Sequence, residues 1–261
     1  MRLGLGVAAG PDPTVLVEVA PGAEGLGFES AWCNDSPAGE GLAQLNAWAA
    51  LTEHIGLGVG VLALDRHSPE SIADRVKELG LPPDRLWLGI GAGFSDHPLA
   101  AVRVGVARVR ELLPGVTIAV AAMRPRMCEL AGEIGDGVLL NWMTPGHARL
   151  ARERVAAGIK RAGRAAGSVT IRGYVRVALG DDARDRLARE ATFYTRLPHY
   201  ARHFAEMGVE PLTIGVAAGT EAELLAGIRE YDALDSVVTR VLSERTPAAI
   251  LAVATAAAAA I

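Results

Sequence analysis

The sequence predicts an α/β fold: a single-domain (β/α)8 TIM barrel with an irregular helical insertion between its seventh and eighth strands. Three observations carry this. The chain has 261 residues, close to the roughly 250 typical of such barrels. Short apolar runs alternate with longer stretches of helical period, as in a parallel sheet wrapped by helices. Eight such runs can be counted, and no linker or repeat divides residues 1–261. An open doubly wound sheet shares the alternation, so count and length favour the barrel.

The first strand, residues 2–8, is followed by a helix over 13–25 behind Pro13. A strand over 28–33 leads to a helix over 42–51. The third strand, 55–63, carries Gly56, Gly58 and Gly60 at alternating positions. Glycine there costs backbone entropy and contributes no packing, so something must lie close to that backbone. Helices over 69–79, 98–113, 125–134 and 145–166 then alternate with strands over 86–91, 117–122, 137–141 and 169–178. One long helix is expected over 183–207. PLTIGV at 211–216 could be a ninth strand but is assigned to the insertion. A helix over 221–231, the eighth strand over 236–242 and an alanine-rich helix over 247–258 complete the order. Prolines sit at the starts of several helices, where the missing N–H costs nothing.

Composition narrows the function classes. Apolar residues make up 50% and charged ones 21%, enough for a large core and too apolar for disorder. A formal charge of -4 gives no general attraction for nucleic acid or anionic membrane. Cys33 and Cys128 are too few for a disulfide scaffold. The N-terminus reads as a strand, not a signal peptide, and the apolar C-terminal stretch is shorter than the roughly 20 residues needed to span a bilayer. A cytoplasmic protein is expected. Six histidines without ligand spacing give no metal site. Lys77 and Lys160 both fall on predicted helices, which disfavours a lyase or isomerase using a Schiff base.

In a barrel the site is built from loops at the C-terminal ends of the strands. LGIGAGFSD, with Gly89, Gly91 and Gly93, is neither a dinucleotide fingerprint nor a P-loop. It is either a flexible loop with small lining residues or a surface where a flat ring or phosphate meets backbone N–H groups. Pro125 opens a helix whose free N–H groups, with Arg124 alongside, suit an anion; a plain helix start with a solvated arginine is the other reading. Asp35 at the end of strand two is a base, a hydrogen-bond acceptor, or a turn former with Ser36 and Pro37.

TEHIGLGVGVLALDRHSPESIA, PPDRLWLGIGAG and AAMRPRMCELAGEIGDGVLLNWMTP, in this order and spacing, resemble the luciferase-like monooxygenase superfamily, which includes oxidoreductases using the deazaflavin coenzyme F-420. The resemblance implies a (β/α)8 barrel with coenzyme F-420 or FMN in its mouth, exchanging hydride with a small organic substrate. It implies a cis peptide bond at Gly60–Val61. There the main chain of Gly60, Val61 and Leu62 would meet the ring, and the cofactor would fill the space beside the glycines. Gly91, Ala92, Gly93 and Phe94 would border the ring or its ribityl chain. The helix start from Met123 through Arg124 to Pro125 would hold the phosphate, and Ala122 beside it would also contact the cofactor. Asn141 and Trp142 would line the pocket, Arg176 would contact substrate or phosphate, and Asp35 would be the acid or base.

Three departures matter. Ser36 stands where many relatives have a proton-transferring histidine, Ala92 stands where the flavin branch has arginine, and the loop after Gly93 is short. Ala92 favours the deazaflavin, while Ser36 and the short loop leave a catalytically degenerate barrel of the same family as the alternative. The last helix could pack against a second copy to give a homodimer.

Overall fold

The computed structural model describes residues 1–260. Its strands are β1 (Arg2–Val7), β2 (Ser30–Cys33), β3 (Gly56–Ala63), β4 (Leu86–Gly91), β5 (Thr117–Ala122), β6 (Gly137–Asn141), β7 (Thr170–Leu179), β8 (Val216–Ala218) and β9 (Ser236–Val241). All pairings between them are parallel. Strands β1 to β7 pair in sequence, β9 follows β7, and β9 returns to β1, closing an eight-stranded (β/α)8 barrel. The helices around it are α1 (Val19–Gly25), α2 (Gly41–Ala49), α3 (Pro69–Glu78), α4 (Pro98–Leu112), α5 (Pro125–Ile134), α6 (Pro145–Arg161), α7 (Ala183–Thr195), α8 (Pro198–Met207), α9 (Glu221–Arg229) and α10 (Pro247–Ala258).

The insertion between β7 and β9 comprises α7, α8, a 3-10 turn at Pro211–Thr213, β8 and α9. Strand β8 stands outside the ring and pairs only with the end of β7, from Val177 to Leu179. Thr170 N donates to Asp136 and Gly180 N to Ala218, whereas Leu242 N donates to Val177. In a parallel ladder, residues of one parity serve one neighbour, so β8 continues along the edge of β7 that β6 leaves at Asn141.

Two helix expectations need correction. The stretch 183–207 is two helices, α7 and α8, because Pro198 offers no N–H to continue α7 and drives Leu197 out of the helical region, to ψ 118°. The stretch 13–25 is a 3-10 turn, Pro13–Leu16, followed by α1. PLTIGV is mainly the 3-10 turn; only its final Val216 is strand.

The barrel interior answers the glycine question differently from the resemblance. Trp32, Ala119, Leu139, Tyr174 and Val238 form a cluster of their own, with Val61 and Trp87 against it. A Cβ at Gly58 would collide with the Trp32 indole, and one at Gly60 would stand 2.5 Å from Leu139 Cδ2 and 2.8 Å from the Tyr174 hydroxyl. Side chains from β2, β6 and β7 therefore occupy the space that a cofactor was expected to fill. Large residues facing small ones on neighbouring strands is how a barrel interior reaches native density.

The larger core lies between barrel and helices and includes Leu5, Leu57, Leu88, Ile118 and Val237. Helix α10 packs on α1 and α9 and buries Ile250, Val253 and Ala254. Near the N-terminal end of the strands, the Arg172 guanidinium lies 3.6 Å from the centre of the Trp87 ring and 3.4 Å from Glu29. Among the described residues no helix is long and apolar enough to cross a membrane.

Candidate functional site

At the C-terminal mouth of the barrel β3 and β4 slip register between Gly60 and Leu62, and the Gly60–Val61 bond is cis, as the resemblance implies. Val61 is half-buried there, and Leu62 turns into the outer core. A Cβ at Gly91 would meet Val61 Cγ2 at 3.1 Å and Ala121 Cβ at 3.5 Å. Gly60, Val61, Gly91 and Ala121 thus form a floor of small apolar residues, with Gly60, Val61 and Ala121 partly exposed. Ala121 is absent from the sequence-predicted set; its inward parity with Ala119 marks it.

The Asp35 carboxylate is held by neighbouring loops. Its Oδ1 accepts from Gly41 N, the first residue of α2, at 3.0 Å. Its Oδ2 lies 2.9 Å from His67 Nε2 and 3.1 Å from the Arg66 guanidinium, and only 4% of the side chain is exposed. The carboxylate fastens the loops after β2 and β3 to α2. Ser36 closes a small bridge with Gly39, each backbone N–H donating to the other's carbonyl. Nothing local in the sequence marks His67 and Arg66, because their partner is about thirty residues upstream.

The loop after β4 is held in the same way. Asp65 accepts from Phe94 N at 3.0 Å, so that N–H is already satisfied. Gly93 adopts φ 62°, and Asp65 fills the place a side chain would need. Ala92 packs against the outer core. Phe94 is 70% exposed and meets the His199 ring edge-on, 5.2 Å between centres.

After β5, Ala122 is buried, Met123 half-buried, and Arg124 precedes α5. The Arg124 guanidinium reaches α8, with Nε 3.1 Å from Glu206. The anion-binding arginine expected from sequence is thus paired with a carboxylate on the insertion.

After β6, Asn141 and Trp142 part company. Asn141 donates to the Tyr200 hydroxyl at 2.9 Å and accepts from the Arg176 guanidinium. Trp142 adopts φ 50° and is wholly enclosed with Ala191, Phe204 and Ile214. It lines no open pocket, in contrast to the expectation, because α7 and α8 fold over it. The Arg176 guanidinium stacks 3.8 Å from the centre of the Trp142 ring. Burial pulls the Arg176 pKa below the ordinary arginine value, and burial raises the Tyr174 and Tyr200 phenols. Cys33 is buried too, which pushes its thiol up and removes it as a nucleophile.

Fold and site together define a (β/α)8 barrel whose mouth offers a small-residue floor, an arginine-led helix start and a helical cover. The sequence profile of the luciferase-like monooxygenase family matches residues 1–114 and 106–257, and the chain belongs to that family. It is 28% identical over 208 residues to a 5,10-methylenetetrahydromethanopterin reductase from Methanolobus tindarius, covering 66% of this chain and 64% of that protein. The chain therefore spans less than two thirds of that relative's length. Its fold is similar to that of an F-420-dependent secondary alcohol dehydrogenase in complex with an F-420–acetone adduct, with TM-score 0.78, 16% identity, and 98% and 99% of the two chains covered. It is also similar to the oxygenating constituent of 3,6-diketocamphane monooxygenase from Pseudomonas putida in complex with FMN, with TM-score 0.69, 15% identity, and 100% and 98% covered.

Proposed function

We propose that this protein is an oxidoreductase that seats a flavin or deazaflavin ring on the floor of Gly60, Val61, Gly91 and Ala121 and exchanges hydride with a small organic substrate. The floor is the observation that carries the reading: its four residues are apolar and uncharged, pack close together and, Gly91 excepted, are partly exposed. A planar ring fits such a surface, and the relatives' names include both F-420 and FMN proteins. Ala92, in place of the flavin-branch arginine, favours coenzyme F-420.

The bound ring supplies the redox chemistry, while the protein supplies position and electrostatics. Val61, Gly91 and Ala121 would support one face. Arg124 and the start of α5 would take the phosphate, with Met123 beside them. Asn141, fixed between Tyr200 and Arg176, offers a polar group at the rim of the floor.

A catalytically degenerate member of the family is the second reading, favoured by the engaged carboxylate of Asp35 and the bridged Ser36. Fluorescence titration of the purified protein with FMN and with coenzyme F-420 tests both readings. Binding of coenzyme F-420 followed by bleaching of its absorbance with one of a panel of small alcohols, both neutral and carboxylate- or phosphate-bearing, supports the enzyme. Binding without turnover across the panel selects the degenerate reading. Binding of neither cofactor removes the proposal.

A further inference from the structure

A cleft of about 600 Å³ opens between α7 and the ends of β1 and β9. Arginines 186, 189, 240 and 245 line it. Arg240 is the inward residue at the top of β9, beside Gly6 of β1 and Arg176 of β7 in the register. Ala8, the next position in the inward series Gly4 and Gly6, lines the cleft as well, so the cleft adjoins the barrel mouth.

These cations are incompletely neutralised. Arg186 pairs with Asp182 at 2.7 Å, across the start of α7. Arg240 stands 3.7 Å from Glu190, beyond hydrogen-bond reach. Arg189 and Arg245 have no ion-pair partner among the described residues, and the Arg245 guanidinium lies where a side chain on residue 10 would be, a place kept open by Gly10. Neighbouring Arg176 is buried, has no carboxylate partner among the described residues, and leaves its Nε unpaired. Glu244 is the remaining carboxylate of the lining, and it is exposed.

The cleft lining thus holds four arginines and three carboxylates, with the buried Arg176 beside it, in a chain whose net charge is -4. A concave surface with an excess of one sign concentrates ions of the other, and the guanidinium fork matches the geometry of carboxylate and phosphate. We infer that this cleft binds an oxyanion, a carboxylate or phosphate group, carried by the compound that exchanges hydride with the ring. The inference rests on the proposed function and narrows the substrate class to anionic small molecules.

Inorganic phosphate is the probe, measured by thermal stabilisation against chloride at matched ionic strength. Wild type should show saturable stabilisation that persists when FMN or coenzyme F-420 is bound. Arg240→Met and Arg245→Met should each weaken it about tenfold or more. Arg229→Met, which removes one exposed charge on α9, should leave it unchanged. Arg245 is exposed, so its variant keeps the test valid if Arg240→Met fails to fold. No phosphate effect beyond chloride, or equal loss in Arg229→Met, overturns the inference. Displacement of phosphate by the cofactor assigns the cleft to the cofactor's own phosphate and overturns it also. Cofactor titration without phosphate is read separately, so the proposed function can fail while the phosphate result stands.

Discussion

The carboxylate of Asp35 lies 2.9 Å from Nε2 of His67, and this pair joins the loop that follows β2 to the loop that follows β3. Since the same carboxylate also takes Gly41 N and Arg66, an amide in its place keeps one acceptor oxygen, sets a donor against the remaining donors and removes the charge. Asp35→Asn is expected to destabilise the protein by about 1–3 kcal/mol, read as a lower urea midpoint. His67→Gln, which keeps a donor in place, should cost less than half of that. Equal stability of Asp35→Asn and wild type would refute the fastening role.

Arg124 and Glu206 give a second test. If Arg124 takes the cofactor phosphate, Glu206 competes for the same guanidinium. Glu206→Gln should tighten FMN or coenzyme F-420 binding several-fold, and Arg124→Ala should weaken it about tenfold. The pair is 38% and 50% exposed, so neither change should move the melting temperature much. Dissociation constants from fluorescence titration decide it, and tighter binding in Arg124→Ala would contradict the assignment.

The alternation of apolar runs carried the barrel, because burial on both faces of a parallel strand writes itself locally into the sequence. The break at Pro198 is also local, yet the helical period runs through it and hid the stop. What lies inside the barrel is another matter. Gly58 is explained by Trp32 on the next strand, and Gly60 by Leu139 and Tyr174 from across the barrel, contacts that no local pattern announces. Asp35 could be read as a turn former or a base, and only the approach of His67 and Arg66 shows how its oxygens are used. Arg240 is the single charged residue of its strand. Its parity with Val238 places it on the inward face, a signal that was available in the sequence.

Gly58 tests whether side chains or a ligand fill the barrel. A methyl group there collides with the Trp32 indole. Gly58→Ala should destabilise the cofactor-free protein by about 1–3 kcal/mol, the usual cost of overpacking. Trp32→Phe combined with Gly58→Ala should recover part of that loss, a coupling visible in a double-mutant cycle. If a cofactor rather than Trp32 occupied the space, the cofactor-free variant would melt with wild type.

Ala121 tests the floor. It is half-buried at the mouth, close to the place where a Cβ on Gly91 would stand. Ala121→Leu adds bulk toward the opening and should reduce ring binding at least tenfold, with circular dichroism unchanged. Undiminished binding of FMN and coenzyme F-420 would place the ring elsewhere.

His203 makes stability depend on pH. It is buried on the inner face of α8, and its Nε2 donates to the carbonyl of Trp142 at 2.9 Å, which fixes the Nε2–H tautomer of the neutral ring. Burial lowers its pKa from 6.5, while the bond to Trp142 acts in the opposite direction and is the smaller effect. The unfolded chain then binds a proton at a higher pH than the folded one. The histidine's contribution is complete above about pH 6.5 and is lost as pH falls from there through the folded value. His199 is lowered by burial as well and adds a slope of the same sign. Glu129 and Glu133, held below 4.5 by Arg161 and Arg103 respectively, act only at more acid pH. Urea midpoints should therefore fall between pH 7 and pH 5 in wild type. In His203→Gln, which keeps an N–H donor for Trp142, that fall should be shallower; an identical slope would mean that His203 does not titrate on unfolding.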